Sequence, residues 1–399
     1  MIARRCSSLL AGTALLCAAQ QVFAADPLPA LTIDLSRTSV SGLSSGAYMA
    51  GQFHVAFSST LAGAGIVAGG PYGCAEGRLD LALNRCMRTS QGEPDLAALV
   101  AKAGSLAASG AVDPLTDLAD DRVYVFTGMA DGTVLPSVGA KIPEFYTQAG
   151  VPAASVRLDA GVNAGHAFIT ENGPVPCATT REPFVNDCDL DQARVILEHI
   201  YGPLNPPAAT VHAPVEFDQA VYLSAPEGKG MATTARVYIP TGCVPGTTCR
   251  LHIAFHGCKQ NEKRVNDAFT VGAGFNRWAE SNNIVVLYPQ THDTSTNPNA
   301  CWDWWGFTGQ AYATKNGVQM AAVHRMMLAL AGQDGGTDGA FCSRYDAWNV
   351  THWQAGRAVV CGWGSACAAG SGEVLGNLFT ASTVYEHPEG FYTAAACGA

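Results

Sequence analysis

Short apolar runs alternate with helical patterns along the first half of the chain. A strand that ends near Val40 is followed by a helical pattern through Phe57, and further strands are predicted at 65–68, 122–127 and 155–158. Helical segments near 96–106 and 138–148 lie between them, and another near 189–200 follows. Strands that alternate with helices indicate a mostly parallel sheet with helices on both faces.

A proline-rich stretch from Pro203 to Pro214 separates this half from a second one. The second half has strand-like runs at 220–223, 235–239, 251–255 and 284–288 and helical patterns near 273–281 and 318–330. The end of the chain, rich in Gly, Ala, Cys and aromatic residues, shows no clear pattern. We therefore expect two halves, 25–202 and 212–399, within one domain.

The N-terminus has the layout of a signal peptide. Arg4 and Arg5 precede an apolar stretch over 9–19, and small residues lead to Ala24. This order predicts cleavage after Ala24 and export to the periplasm or the medium. The apolar stretch is shorter than the roughly 20 residues that span a bilayer, and no other run is longer, so we expect no stable membrane insertion.

Composition narrows the possible partners. Charged residues are only 14% of the 399-residue chain, hydrophobic residues are 48%, and the net charge is −10. Such a chain buries a large core, and its negative charge opposes binding to nucleic acid or to an anionic membrane.

Cysteine usage agrees with export. Of the 14 cysteines, Cys6 and Cys17 lie in the predicted signal peptide, and an even number remains. In an exported chain these predict disulfides. The short-range candidates are Cys74–Cys86, Cys177–Cys188, Cys243–Cys249 and Cys361–Cys367. No CxxC pair or HExxH motif occurs, so we expect no metal.

Gly42-Leu43-Ser44-Ser45-Gly46 has the form of a nucleophile elbow between a strand and a helix. The pattern GxSxG is common by chance, but its position between these two elements favours function. We predict Ser44, at the centre of the motif, as the nucleophile.

A serine nucleophile needs a histidine base and an acid that orients it. Asp131 follows the predicted strand 122–127 in a loop, and His166 follows the predicted strand 155–158 in another, in the expected order Ser, Asp, His. Taken alone, Asp131 is better explained as an ordinary Asp-Gly turn. Rival acids are Asp120, Asp121 and Asp159, and rival bases are His54 and His256.

The strand that ends in His256-Gly257-Cys258 comes after all three residues. In an ordinary α/β-hydrolase a strand with such an oxyanion loop precedes the elbow. We therefore predict a circularly permuted α/β-hydrolase fold, in which the amides of Ser45 and Cys258 form the oxyanion hole and His256 supports the loop.

With these motifs the sequence resembles the poly(3-hydroxybutyrate) depolymerases, particularly the single-domain, circularly permuted kind. The matching segments are 40–50, 128–131, 165–166, 251–260 and 301–305. The resemblance implies a secreted, monomeric serine esterase without a cofactor, which cleaves this polyester to monomer and short oligomers with Ser44, Asp131 and His166. From the sequence we expect neither the linker nor the separate C-terminal polymer-binding domain that many members carry.

Trp302, Trp304, Trp305 and Phe307 form an aromatic cluster. Such clusters usually belong to the core, and we expect this of two of the four. We predict that the tryptophans contribute to substrate binding and that Trp302→Ala weakens polymer hydrolysis more than hydrolysis of a small ester.

Two other functions fit parts of the sequence. Another secreted carboxylesterase, such as a feruloyl or acetylxylan esterase, would share the motifs. A non-catalytic polymer-binding protein would use the tryptophans alone, but the three triad candidates argue against it.

Overall fold

The computed structural model describes residues 25–223, 228–333, 343–361, 365–369, 372–387 and 391–394. The predicted signal peptide, with Cys6 and Cys17, lies outside these residues, as do Cys342 and Cys397. No helix within them is both long enough and apolar enough to cross a membrane.

Within the described ranges up to residue 333 there are eleven strands and nine α-helices. The strands are β1 (Ile33–Leu43), β2 (Leu61–Val67), β3 (Arg122–Phe126), β4 (Val156–Asp159), β5 (Phe168–Thr170), β6 (Val175–Pro176), β7 (Val185–Asp187), β8 (Val215–Asp218), β9 (Thr234–Tyr238), β10 (Cys249–Phe255) and β11 (Ile284–Tyr288). The helices are α1 (Ser45–Ala56), α2 (Leu79–Leu81), α3 (Leu96–Ala108), α4 (Pro136–Gly139), α5 (Ile142–Gln148), α6 (Gln192–Tyr201), α7 (Glu262–Val265), α8 (Phe275–Asn282) and α9 (Val318–Leu330).

The central sheet has eight strands in the order β4-β3-β2-β1-β10-β11-β9-β8. The first six strands in this order pair in parallel, whereas β9 pairs antiparallel with both β11 and β8. Strand β10, from the second half of the chain, lies beside β1, with Gly42 opposite Phe255. The sheet thus joins the two halves in the way that the permuted order predicts.

The side chains of each buried strand alternate between two apolar layers, one on each face of the sheet. Val285 and Leu287 of β11 pack in one layer with residues of α1, α3, α5 and α9. Val286 and Tyr288 point into the other layer, which contains α6 and α8. Successive side chains of a strand point to opposite faces of the sheet, and here both faces are covered by helices. Strand β11 is therefore apolar at every position. This confirms the predicted α/β architecture.

Two predicted elements differ from the structure. Residues predicted as a strand at 220–223 form instead a 3₁₀ helix, Ala220–Tyr222. Gln219 precedes it, and its side-chain amide donates to the carbonyls of Ala232 at 2.6 Å and Gln290 at 2.8 Å, as a paired strand would. The helix predicted at 138–148 is divided into α4 and α5, each with a proline in its first turn.

The C-terminal described segments form two further antiparallel sheets. Their elements are β12 (Ser343–Trp348), α10 (Asn349–Gln354), β13 (Ala358–Val360), β14 (Ser365–Ala368), β15 (Val374–Asn377), β16 (Ala381–His387) and β17 (Phe391–Thr393). The sheets have the orders β12-β16-β17 and β13-β14-β15, so within the described ranges these strands pair only with one another.

Five disulfides lie in the described residues. The four short-range pairs predicted from the sequence are all present. The fifth joins Cys258 to Cys301, across 43 residues, and was not predicted.

Candidate active site

Ser44 lies at the turn between β1 and α1 in a strained backbone conformation, with φ 58° and ψ −119°. A side chain at Gly42 would place its Cβ 2.2 Å from the Gly46 carbonyl oxygen, and one at Gly46 would lie 2.4 Å from that of His256. Only glycine permits this close approach of strand, helix and neighbouring loop. The turn therefore places Ser44 at the N-terminus of α1, where it is 9% exposed and lines a cavity.

The side chain of the neighbouring serine, Ser45, is buried and already forms a hydrogen bond. Ser45 is 1% exposed, and its hydroxyl accepts a hydrogen bond from the Trp302 amide at 3.3 Å. As the first residue of α1, Ser45 has a backbone N–H without a partner inside the helix. The geometry thus leaves Ser44 as the candidate nucleophile and the Ser45 amide as a candidate oxyanion donor.

Asp131 and His166 are in direct contact. His166 Nδ1 donates to Asp131 Oδ2 at 2.7 Å, and both side chains are buried. The second carboxylate oxygen accepts from the amides of Thr133 at 2.8 Å and Val134 at 3.0 Å. This contact fixes the tautomer of His166 and leaves Nε2 as its basic nitrogen.

A segment of residues 176–188, which we call the strap, holds the backbone of His166. The His166 amide donates to Thr180 Oγ1 at 2.9 Å, and the Gly165 amide donates to the Cys177 carbonyl at 2.8 Å. The strap is closed by the disulfide Cys177–Cys188. The candidate base, His166, is therefore held by a covalently restrained segment.

The rival acids and bases have other roles. His54 is fully buried and contacts Asp121 at 2.9 Å and the Tyr146 hydroxyl at 3.0 Å. Asp159 pairs with Arg157 at the end of β4. Asp120 is exposed and lines a separate depression with Asp121.

His256 supports the neighbouring loop, as predicted. Its Nδ1 donates to the Gly257 carbonyl at 2.7 Å, and Nε2 accepts from the Thr291 amide at 3.3 Å. Burial lowers the pKa of His256 to about 4, so the ring is neutral at pH 7. Because both ring nitrogens form hydrogen bonds, the neutral ring holds the loop in place.

Gln260 connects the loop after β10 to the strap. Its side-chain oxygen accepts from the Gly257 amide at 2.7 Å, and its nitrogen donates to the Pro183 carbonyl at 2.8 Å and the Phe184 carbonyl at 3.1 Å. Sequence reasoning did not single out Gln260, although it is 1% exposed. The Cys258–Cys301 disulfide further restrains the loop that carries the Cys258 amide.

Trp304 and Trp305 form an aromatic wall. Trp304 stacks on Tyr48 with ring centroids 4.0 Å apart, and Trp305 lies edge-on to Trp304. Asp303 holds this segment, because its carboxylate accepts from the amides of residues 305–308 and from the Thr308 hydroxyl. Burial raises the pKa of Asp303, while these hydrogen bonds act against the shift.

Trp302 does not reach the cavity, which corrects the prediction that it binds substrate. It is 0% exposed and lies edge-on to Phe255, with ring centroids 5.0 Å apart. Trp302 and Trp304 are the two buried members of the aromatic cluster, and Trp305 and Phe307 are partly exposed. Residues 302 and 304 therefore do not present one common face to substrate.

One cavity of about 830 Å³ brings the predicted residues together. Ser44, His166 and Cys258 line it, and Asp131 lies behind His166. Its apolar wall consists of Leu43, Tyr48, Leu79, Leu83, Met87, Val134, Phe184, Trp304 and Trp305. The volume suits a ligand of several repeat units, and the composition suits an apolar one.

Comparison with known proteins decides the family. The family model described as Esterase PHB depolymerase matches residues 234–340. The polyhydroxybutyrate depolymerase of Talaromyces funiculosus is 35% identical over 322 residues, which cover 75% of this chain and 91% of that protein. The chain belongs to the polyhydroxybutyrate depolymerase family. It is therefore an ester hydrolase, as the sequence predicted.

Further relatives of this depolymerase agree. The poly(3-hydroxybutyrate) depolymerase of Delftia acidovorans is 43% identical over 334 residues, which cover 82% of this chain but 66% of that protein. The crystal structure of PHB depolymerase from Penicillium funiculosum matches with a TM-score of 0.71 and 32% identity, over 77% of this chain and 99% of that one. A serine-to-alanine variant in complex with an R3HB trimer matches equally well.

Proposed function

We propose that the chain hydrolyses poly(3-hydroxybutyrate) through an acyl-enzyme formed on Ser44. The observation that carries the proposal is the shared cavity, which Ser44 and the Asp131-bound His166 line beside the Trp304–Trp305 wall. Relatives named as depolymerases of this polyester support the substrate class.

Each residue of the proposed site has a distinct role in the reaction. Ser44 Oγ attacks the ester carbonyl while His166 Nε2 takes its proton and Asp131 stabilises the imidazolium. The amides of Ser45 and Cys258 hold the oxyanion. His166 then protonates the leaving alcohol, and water, activated by the same ring, releases the acyl group. The products are 3-hydroxybutyrate and short oligomers, and no metal or organic cofactor takes part.

Product analysis on amorphous poly(3-hydroxybutyrate) tests this function. The wild type should release 3-hydroxybutyrate and its oligomers, and Ser44→Ala should release none above background. Ser105→Ala, on the exposed face of α3, is the matched control and should retain full activity. Release of ferulate from arabinoxylan without polymer hydrolysis would favour the alternative esterase.

A second observation favours adsorption to solid polymer. Large apolar side chains are exposed in the C-terminal segments, among them Trp348 at 57%, Trp353 at 48%, Val374 at 70% and Phe379 at 77%. The Val350 amide donates to the Leu378 carbonyl at 2.9 Å, so the segments that carry Trp348 and Phe379 are adjacent, and exposed apolar groups on adjacent segments are typical of an interaction surface. We propose that they bind polyester.

Depletion from solution by polymer granules tests the adsorption. In the full-length Ser44→Ala background, adding Trp348→Ala and Phe379→Ala should weaken binding to the granules. In the active enzyme the same changes should leave hydrolysis of a soluble ester unchanged. Undiminished depletion would refute the second proposal and leave the first intact.

We also propose that the protein is exported and monomeric. The five disulfides support an oxidising compartment. Mass spectrometry of the exported protein should give an N-terminus at Ala25, and light scattering should give the mass of one chain.

A further inference from the structure

The cavity carries an excess of positive charge in an otherwise acidic protein. Apart from His166, its charged lining residues are Arg181, Lys259 and Glu182. The whole chain has a net charge of −10. Neither Arg181 nor Lys259 forms an ion pair with the part of the chain that the structure describes. Two cations that are free to meet a ligand thus face a largely apolar cavity.

Arg181 lies on the same side of the cavity as the catalytic base. It follows Thr180, whose hydroxyl holds the His166 amide at 2.9 Å. Its own carbonyl accepts from the Phe184 amide at 2.8 Å, which closes a tight turn. Gln260 holds the next residues of the strap, so the backbone of Arg181 is fixed relative to His166. Lys259, in contrast, follows Cys258 on the oxyanion side.

The direction of the polyester determines which chain end meets each side. Cleavage leaves the acyl part on Ser44, and that part continues toward the hydroxyl end of the polymer. The leaving alcohol continues toward the carboxyl end, and His166 protonates it. When the last ester of a chain is cleaved, the leaving unit is 3-hydroxybutyrate itself. One methylene then separates its carboxylate from the carbon that bears the ester oxygen.

We propose that Arg181 binds the terminal carboxylate of hydroxyalkanoate chains, so that the enzyme favours oligomers that end in a free acid. This inference rests on the proposed function of Ser44 and His166. A guanidinium can hold a carboxylate with two parallel hydrogen bonds, and because Arg181 is exposed, solvent screens part of their attraction. Glu182 opposes the attraction, and Lys259 adds positive potential from the far side. The soluble products of polymer cleavage are then substrates in their own right.

Paired substrates test the proposal. The trimer of 3-hydroxybutyrate is assayed as the free acid and as the methyl ester, and kcat/KM is measured for the wild type, Arg181→Gln, Lys259→Gln and Arg194→Gln. Arg181→Gln should lower kcat/KM for the acid by about three- to tenfold, between an exposed ion pair and a desolvated one, and leave the ester within about twofold. Arg194 is exposed on α6, so its variant controls for total charge.

Each result supports the proposal, overturns it, or contradicts the function on which it rests. A selective loss on the acid in Arg181→Gln, reduced by raising the salt concentration, supports carboxylate binding. An equal loss of kcat/KM on both substrates, or no loss, overturns the proposal. A selective loss on the acid that is confined to Lys259→Gln assigns the carboxylate to the oxyanion side of the cavity and also overturns the proposal. Absence of methyl-ester hydrolysis by the wild type would contradict the proposed function instead.

Discussion

His166 Nδ1 lies 2.7 Å from Asp131 Oδ2, and a second buried pair, His54 and Asp121, has nearly the same separation of 2.9 Å. Only the first pair adjoins the cavity with Ser44. Asp131→Asn should lower kcat on a soluble ester by about 10³–10⁴, because the wrong tautomer of His166 would be favoured. Asp121→Asn is the matched control: it should lower the melting temperature and leave kcat per folded molecule within about twofold. Similar kcat losses in both variants would argue against a special role for Asp131.

The aromatic residues separate substrate binding from stability. Trp305→Ala should raise KM for oligomers and lower polymer hydrolysis, with little effect on a small soluble ester, because it removes cavity wall. Trp302→Ala should instead cost about 3–5 kcal/mol of unfolding free energy, since it leaves a void in the core. Any activity loss in Trp302→Ala should be equal on both substrates. Kinetics on paired substrates and thermal melts measure the two effects.

The Cys258–Cys301 disulfide restrains the loop that carries the proposed oxyanion amide of Cys258. Replacing both cysteines with alanine should lower kcat by about tenfold, less than the loss of a whole donor, while KM changes little. Removing Cys243–Cys249, which links the loop before β10 to the first residue of β10 and does not line the cavity, should destabilise the protein without lowering kcat. Steady-state kinetics below the melting temperature of both variants test this prediction. An unchanged kcat in the variant without Cys258–Cys301 would show that the disulfide is not needed to position the loop.

Buried histidines predict acid sensitivity. Burial lowers the pKa of His252 to about 3 and that of His256 to about 4. As the pH falls from about 6.5 toward these values, the unfolded chain binds protons that the folded chain does not, so stability decreases. His252→Gln should make the unfolding free energy less dependent on pH by up to about 1.4 kcal/mol per pH unit. Melting temperatures from pH 7.5 to 4.5 measure the slope, and an unchanged slope would refute the prediction for His252.

The candidate catalytic residues were predictable because the local backbone geometry and the order of the strands restrict their positions strongly. Gly42 and Gly46 are required by contacts under 2.5 Å, so the elbow is visible as a spacing of small residues around Ser44. Asp131 and His166 follow successive parallel strands, whose carboxyl ends lie at one edge of the sheet. The order of the motifs was enough to predict the permuted fold.

The remaining features depend on contacts between distant segments. Gln260 joins two loops that are 76 residues apart, and no local pattern marks it. The Cys258–Cys301 pair and the buried position of Trp302 likewise depend on how 301–308 packs against α1 and β10. The strand predicted at 220–223 was wrong because Gln219 supplies from its side chain the hydrogen bonds that a strand would supply from its backbone.

The most direct test of the account is the product released from amorphous poly(3-hydroxybutyrate) by the wild type and by Ser44→Ala. We predict 3-hydroxybutyrate and short oligomers from the wild type, and no release from a folded Ser44→Ala variant beyond the ~10³–10⁴-fold residual acceleration over water that binding and oxyanion donors supply. Polymer hydrolysis at near wild-type rate by that variant would contradict the central claim that Ser44 carries the acyl group.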